Sequence, residues 1–243
     1  MNVLDLFSGI GGFSLGLEST GFFKTIAFVE KDKFCQKVLQ KNFPNIPIED
    51  EVRNVKGERF KADVITGGFP CQPWSFAGKR KGSKDDRNLW DQMFRIITET
   101  KPRWIIAENV KAIAYLENSL VLKQIKSDLE SQKYQTIFFN IPATAVNAPH
   151  KRERIWIIAY SKHNGLYNKK RFKTQPISYK SEEWLFIRNN WKKNKSEFFR
   201  INDGLSSKLD IDRKERIKAL GNSIIPQIAR EIGKAIMEAE LGS

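Results

Sequence analysis

The chain has 243 residues, 42 of them Lys or Arg and 28 Asp or Glu, for a formal net charge of +14. With 40% apolar and 12% aromatic residues it can bury an ordinary core, which argues against a disordered chain. No apolar run approaches the roughly 18 residues of a membrane span. Its two cysteines, Cys35 and Cys71, can build neither a disulfide framework nor a four-thiolate metal site. No metal is expected.

The positive surplus fits a polyanionic partner, most simply nucleic acid, with a merely soluble basic protein as the plain alternative. Met1 leads straight into Val3–Phe7 with no basic or apolar leader, so no secretory signal and a cytoplasmic setting are expected. Residues 1–160 alternate short β-rich runs with helical patterns. The runs are Val3–Phe7, Thr25–Glu30, Ala62–Thr66, Arg103–Glu108, Thr136–Asn140 and Ile155–Tyr160. Leu122, Ile125 and Leu129 share one helix face. Such βα alternation predicts a doubly wound, mostly parallel α/β sheet with helices on both sides. From Lys162 to Arg200 the pattern breaks down, with 11 Lys and Arg against 3 Glu, a surplus of +8. A last helix starts at Pro226 and carries the stripe Ile228, Ile232, Ala235 and Ile236. The expected layout is a catalytic domain of residues 1–160 plus 213–243, interrupted by a small basic region at 161–212.

The first run ends in Asp5-Leu6-Phe7-Ser8-Gly9-Ile10-Gly11-Gly12-Phe13 and enters a helix. Glycines there let the backbone approach a ligand, and the helix start offers free N–H groups. Glu30 ends the second run 21 residues after Gly9, about the interval for a carboxylate that grips ribose hydroxyls. Together they point to a nucleoside cofactor. A dinucleotide fingerprint would have a third glycine where Ser14 stands, which disfavours NAD. S-adenosylmethionine has the same adenosine without the pyrophosphate. Asp50 could accept from an adenine amino group or be a solvated turn residue.

The third run leads into Gly67-Gly68-Phe69-Pro70-Cys71-Gln72-Pro73-Trp74-Ser75. A thiol between prolines, just past the carboxyl end of a parallel strand, faces the crevice where open sheets bind ligands. Most lone cysteines are small buried hydrophobes, and Cys35, inside a helical pattern, fits that default. Packing gives Cys71 no such reason. Glu108 ends the apolar fourth run, where desolvation would raise its pKa and suit it to donate a proton; capping a helix or binding ribose are its other readings. Arg152 and Arg154 precede the sixth run and could hold phosphate or a carbonyl, or be solvated.

These blocks resemble the C5-cytosine DNA methyltransferase family. Asp5–Phe13 is similar to its cofactor loop, Gly68–Gln72 to its nucleophile motif, Glu108-Asn109-Val110 to its acid motif and Arg152-Glu153-Arg154 to its arginine motif. Gly221–Pro226 is similar to its closing motif, whose helix packs beside the first. The resemblance implies a Rossmann-like, S-adenosylmethionine-dependent fold acting on double-stranded DNA. It implies that Cys71 attacks C6 of a flipped cytosine, Glu108 acts at N3, Asn109 fixes the loop, and Arg152 and Arg154 hold O2 and phosphate. It carries over Asp5, Phe7, Gly9, Gly11, Phe13, Glu30, Asp50, Pro70, Leu89, Asn222 and Ile224 as cofactor-binding. Gln72, Ser75, Lys79 and Arg80 resemble a loop that closes over DNA.

Lys169, Arg171, Arg188 and Lys192 are the expected phosphate contacts of the basic region. Asn164, Arg171, Gln175, Arg188 and Asn189 are its candidates for base edges. His150 stands where the family usually has Gln, and its Arg/Leu-rich motif is not recognisable in Asn202–Ser207. A recognition region this short implies mainly electrostatic binding and a short target. A monomer, with a cognate restriction endonuclease as possible companion, is the expected state. The alternatives are a tRNA cytosine methyltransferase, disfavoured by the absence of cysteines after Cys71, a split or non-catalytic DNA-binding relative, and a nicotinamide oxidoreductase.

Overall fold

A computed structural model describes residues 1–70, 89–115, 119–148, 152–161 and 211–242. Along the chain run β1 (Asn2–Leu6), α1 (Gly12–Glu18), β2 (Lys24–Val29), α2 (Lys33–Asn42), β3 (Ile48–Glu49) and β4 (Val64–Gly67). Then come α3 (Leu89–Thr100), β5 (Trp104–Val110), α4 (Leu120–Ser131), β6 (Tyr134–Pro142), β7 (Glu153–Ser161), α5 (Ile211–Asn222) and α6 (Pro226–Leu241). All six expected runs are strands. The seventh, β3, has two residues and pairs with β2, too little periodicity to read in advance.

The strand order is β3-β2-β1-β4-β5-β7-β6. The pairings among β1 to β5 are parallel, whereas β7 runs antiparallel to both β5 and β6. The reason is the connection. Parallel neighbours need a crossover of a dozen or more residues, usually helical, and only ten residues, 143–152, separate β6 from β7. The chain therefore turns back, and β7 slots between β5 and β6.

Side chains alternate across this sheet. Leu4, Leu6, Ile65, Ile105, Ala107, Ile155 and Ile157 meet Trp90, Met93, Ile96, Ile97, Ile125 and Leu129 of α3 and α4 on one face. Val3, Val64, Trp104, Ile106 and Trp156 meet Phe13, Leu17, Ile228, Ala229, Ile232 and Ile236 of α1 and α6 on the other. Each buried Ile or Leu contributes about 1.5–3 kcal/mol. A one-residue slip would turn both sets to the wrong face, which fixes the register.

Helices α1 and α6 pack close. A Cβ on Gly12 would lie 2.6 Å from the Ile224 carbonyl, and one on Gly16 would collide with the Pro226 carbonyl and stand 2.7 Å from Ala229 Cβ. Pro226 opens α6 at its first turn, as expected, and Gly242 (φ 73°) ends it. Ala235 is only partly buried. Ala229 and Gly233 complete the packed stripe instead.

Candidate active site at the carboxyl edge of the sheet

Strands β1, β4 and β5 deliver their carboxyl ends to one edge, and antiparallel β7 begins there. Beyond β1 the chain coils tightly, with Phe7, Gly9 and Gly11 at φ of 52°, 55° and 86°. Gly9 and Gly11 adopt that region without cost, whereas Phe7 is held there by its surroundings. Ser8 ties the coil to the sheet: its hydroxyl donates to the Asp5 carbonyl (2.5 Å) and accepts from the Val29 amide (3.2 Å).

Glu30 then closes the loop from β2. One carboxylate oxygen accepts the Gly9 amide and the other the Asp32 amide, each at 2.7 Å. The side chain of Gln36 donates to the Glu30 carbonyl at 2.6 Å. A glycine coil and an acid from neighbouring strands thus meet through charge-assisted hydrogen bonds. Asp50 lies exposed after β3, 3.9 Å from Lys33 Nζ.

Asp5 and Phe13, expected among the cofactor-binding residues, are both buried. Asp5 is fully buried, and its carboxylate oxygens accept from Thr66 (2.6 Å) and Ser14 (2.9 Å), joining β1, β4 and α1 beneath the loop. Burial outweighs those hydroxyl donors and raises its pKa from 3.8 to about 7. Phe13 is 1% exposed, its ring edge-on to Trp156 at 5.6 Å between centroids. Both lie on the α1 and α6 side of the sheet, Asp5 bonded to Ser14 and Phe13 packed with Val3 and Trp156.

Sequence reasoning missed Ser8, Thr66 and Ser14 as the polar pins of this loop. The available signal was Ser14 itself, a hydroxyl where a dinucleotide site would have glycine.

At the other end of the edge, a Cβ on Gly68 would stand 3.6 Å from Glu108 Oε2 and 3.5 Å from Ile224 Cδ1. The loop after β4, the acid of β5 and the segment before α6 therefore converge. Asn109 is 2% exposed, and its amide donates to the Phe69 carbonyl at 2.9 Å, clipping that loop to β5. Pro70 is exposed, Leu89 packs partly buried at the start of α3, Asn222 is exposed and Ile224 is buried.

Glu108 is 7% exposed. Pairing of Val110 with Arg154 brings the start of β7 and the residue before it beside Glu108, so Arg154 Nε lies 3.0 Å and an Arg152 guanidinium nitrogen 3.9 Å from Glu108 Oε1. Desolvation still prevails over both arginines and lifts the Glu108 pKa from 4.5 to about 7. Such a carboxyl can hold or release a proton near neutrality.

Cys71, Gln72, Ser75, Lys79, Arg80, His150, Lys169, Arg171, Arg188 and Lys192 lie outside the described residues, as do Asn164, Gln175, Asn189 and Asn202–Ser207. Among the described residues there is no cluster of three or more His, Cys, Asp or Glu that could hold a metal ion, and no helix long and apolar enough to cross a membrane.

The family model for C-5 cytosine-specific DNA methylase matches residues 1–210. The chain is 39% identical over 191 residues to the Type II methyltransferase M.PspPI of Psychrobacter sp. (strain TA137), covering 74% of this chain and 44% of that protein. It is 38% identical over 164 residues to the Type II methyltransferase M.Bsp6I of Bacillus sp. (strain RFL6), covering 66% and 52%. The chain thus spans about half the length of these curated relatives. Its fold is similar to that of Spodoptera frugiperda DNMT2, with a TM-score of 0.61 at 23% identity, covering 73% of this chain and 56% of that one.

Proposed function

The chain belongs to the C-5 cytosine-specific DNA methylase family, and we propose that it methylates C5 of a cytosine turned out of a DNA duplex. The observation that carries this reading is the meeting of Gly68, Glu108, Arg152 and Arg154 at one edge, beside the Gly9–Glu30 clamp. Cys71 follows Gly68 by three residues.

The residues fit S-adenosylmethionine. Space around Gly9 is open, with nothing within 4 Å of a Cβ built there, and Glu30, which accepts the Gly9 amide, would also take the ribose hydroxyls. Asp50, Pro70, Leu89, Asn222 and Ile224 would complete the pocket. Bound, the cofactor supplies a methyl group made electrophilic by its sulfonium.

C5 of cytosine is a poor nucleophile until C6 carries an electron-donating substituent. The Cys71 thiolate would add there. Glu108, protonated near neutral pH, would donate to N3 and stabilise the charge that develops on the ring during addition. Arg154 and Arg152 would hold O2 and phosphate, while Asn109 keeps the Phe69 carbonyl, and with it the approach to Cys71, in place. Turning the base out of the stack costs a few kcal/mol. Gln72, Ser75, Lys79 and Arg80 are the side chains assigned to the strand around it. The surplus of Lys169, Arg171, Arg188 and Lys192 would contact phosphates, so affinity would fall steeply with salt. A cytoplasmic monomer, with or without a cognate endonuclease, completes the reading.

Tritiated S-adenosylmethionine, offered with duplex DNA or with tRNA beside a Cys71→Ser variant, tests it. Label in DNA that the variant fails to incorporate supports the proposal, and bisulfite sequencing then gives the target. Label in tRNA alone, or full turnover by the serine variant, refutes it.

A further inference from the structure

Six large hydrophobic side chains are exposed among the described residues: Leu15, Val110, Tyr115, Leu120, Leu220 and Leu241. Three of them fall between positions 110 and 120, on the lip that leaves β5 directly after Glu108 and Asn109. Tyr115 is the most exposed of all six, at 71%.

This lip is a built element. Ile113 is fully buried and anchors it in the core, the Tyr115 amide donates to the Ala112 carbonyl at 3.0 Å, and the Ser119 hydroxyl donates to the Ala114 carbonyl at 2.7 Å. The lip is also continuous with the candidate active site, because Val110 pairs with Arg154, whose Nε lies against Glu108. A hydrogen-bonded turn therefore presents an aromatic ring to solvent a few residues beyond Glu108 and Asn109.

Its charge narrows the ligand. The one charged side chain among the lip's described residues, Lys111, is held 2.6 Å from Glu153, which also accepts from Asn140 at 3.0 Å. A lip without surplus positive charge is poorly suited to phosphate. An exposed ring on the segment that follows Glu108 and Asn109 is suited to a π-face, and every nucleobase has one.

We propose that Tyr115 is a stacking platform for a nucleobase of the substrate strand next to the target cytosine. This rests on the reading of the chain as a DNA cytosine methyltransferase and adds a contact that is independent of its basic region. An aromatic ring held on an anchored turn loses little conformational freedom on binding, so most of its stacking energy appears as affinity. The energy is not electrostatic, and salt leaves it unchanged.

Binding of a fluorescein-labelled duplex, with one cytosine opposite an abasic site, tests this by anisotropy across about 50–300 mM salt. Tyr115→Ala is expected to weaken binding about tenfold at every salt concentration, consistent with loss of one base–aromatic stack. The slope of log affinity against log salt stays that of the wild type, and Tyr115→Phe binds within about twofold of it. An alanine variant with wild-type affinity overturns the proposal. So does a flatter salt slope, which marks a phosphate contact, or a phenylalanine variant as weak as the alanine one. A wild-type protein that binds no duplex at all refutes the functional reading itself.

Discussion

The two halves of the sheet reach the same edge by different means. In the β1–β4 half, the loop is held by backbone amides and hydroxyls: Gly9 and Asp32 on Glu30, Ser8 on β1 and β2, Thr66 and Ser14 on Asp5. In the β5–β7 half, the site is a matter of charge, with Glu108 facing Arg154 and Arg152 across antiparallel strands. Each half carries one buried carboxyl with a pKa raised to about 7, Asp5 in the first and Glu108 in the second. The environments separate their roles. Asp5 has no solvent access, and the hydroxyls of Thr66 and Ser14 and the Ser14 amide hold its carboxyl between β1, β4 and α1. Glu108 stands at the crevice between a glycine loop and two guanidinium groups, where a proton can move.

The largest expected effect breaks the second half. Glu108→Gln keeps the shape and removes the transferable proton, and should lower kcat by about 10²–10⁴, the usual range for a general acid. Wild-type kcat/KM should fall as pH rises through about 7, where the Glu108 carboxyl ionises, and that limb should vanish in the variant. A wild-type rate that stays flat through this range would remove the proton-donor role.

Asp5→Asn tests the first half and should act on stability. The folded Asp5 pKa, about 7, lies above its ordinary value of 3.8. Its contribution to stability is therefore fully present below about pH 4 and is lost as pH rises through 7. Asparagine keeps the shape and carries no charge to desolvate. The variant should be more stable than the wild type at pH 8 by up to about 4 kcal/mol, with a flatter profile between pH 4 and 7 in urea unfolding. A destabilised variant at pH 8 would show that the ionised carboxylate is needed by its hydroxyl partners.

Glu30→Ala removes the clamp itself. Hydrogen bonds to a charged group contribute about 1.5–3 kcal/mol, so S-adenosylmethionine affinity by calorimetry should fall about tenfold or more while DNA affinity holds. The smallest effect joins the halves. Asn109→Ala frees the Phe69 carbonyl and should cost about 1 kcal/mol of the barrier, a several-fold loss in kcat with cofactor affinity unchanged. If cofactor affinity fell as well, the two halves would be one mechanical unit.

Much of this was legible in the chain. Period-two runs bounded by glycine and helical stripes produced six of the seven strands and the parallel character of the first half, because apolar alternation is a local property. The Gly9–Glu30 interval marked the acid for ribose hydroxyls; that its carboxylate accepts the Gly9 amide was visible only in the structure. The placement of Arg152 and Arg154 beside Glu108 was anticipated only as a shared edge.

What the sequence determined by itself was the kind of groups at the site and their order: glycine coil, acid, thiol, acid, arginines. Tertiary structure decided which of them are buried. Asp5 and Phe13 share a motif with Gly9, yet the sheet interior takes both side chains, because burial depends on what lies above and below a strand. The antiparallel turn of β7 was likewise settled by a connection too short for a crossover, and that reversal is what carries the arginines to Glu108.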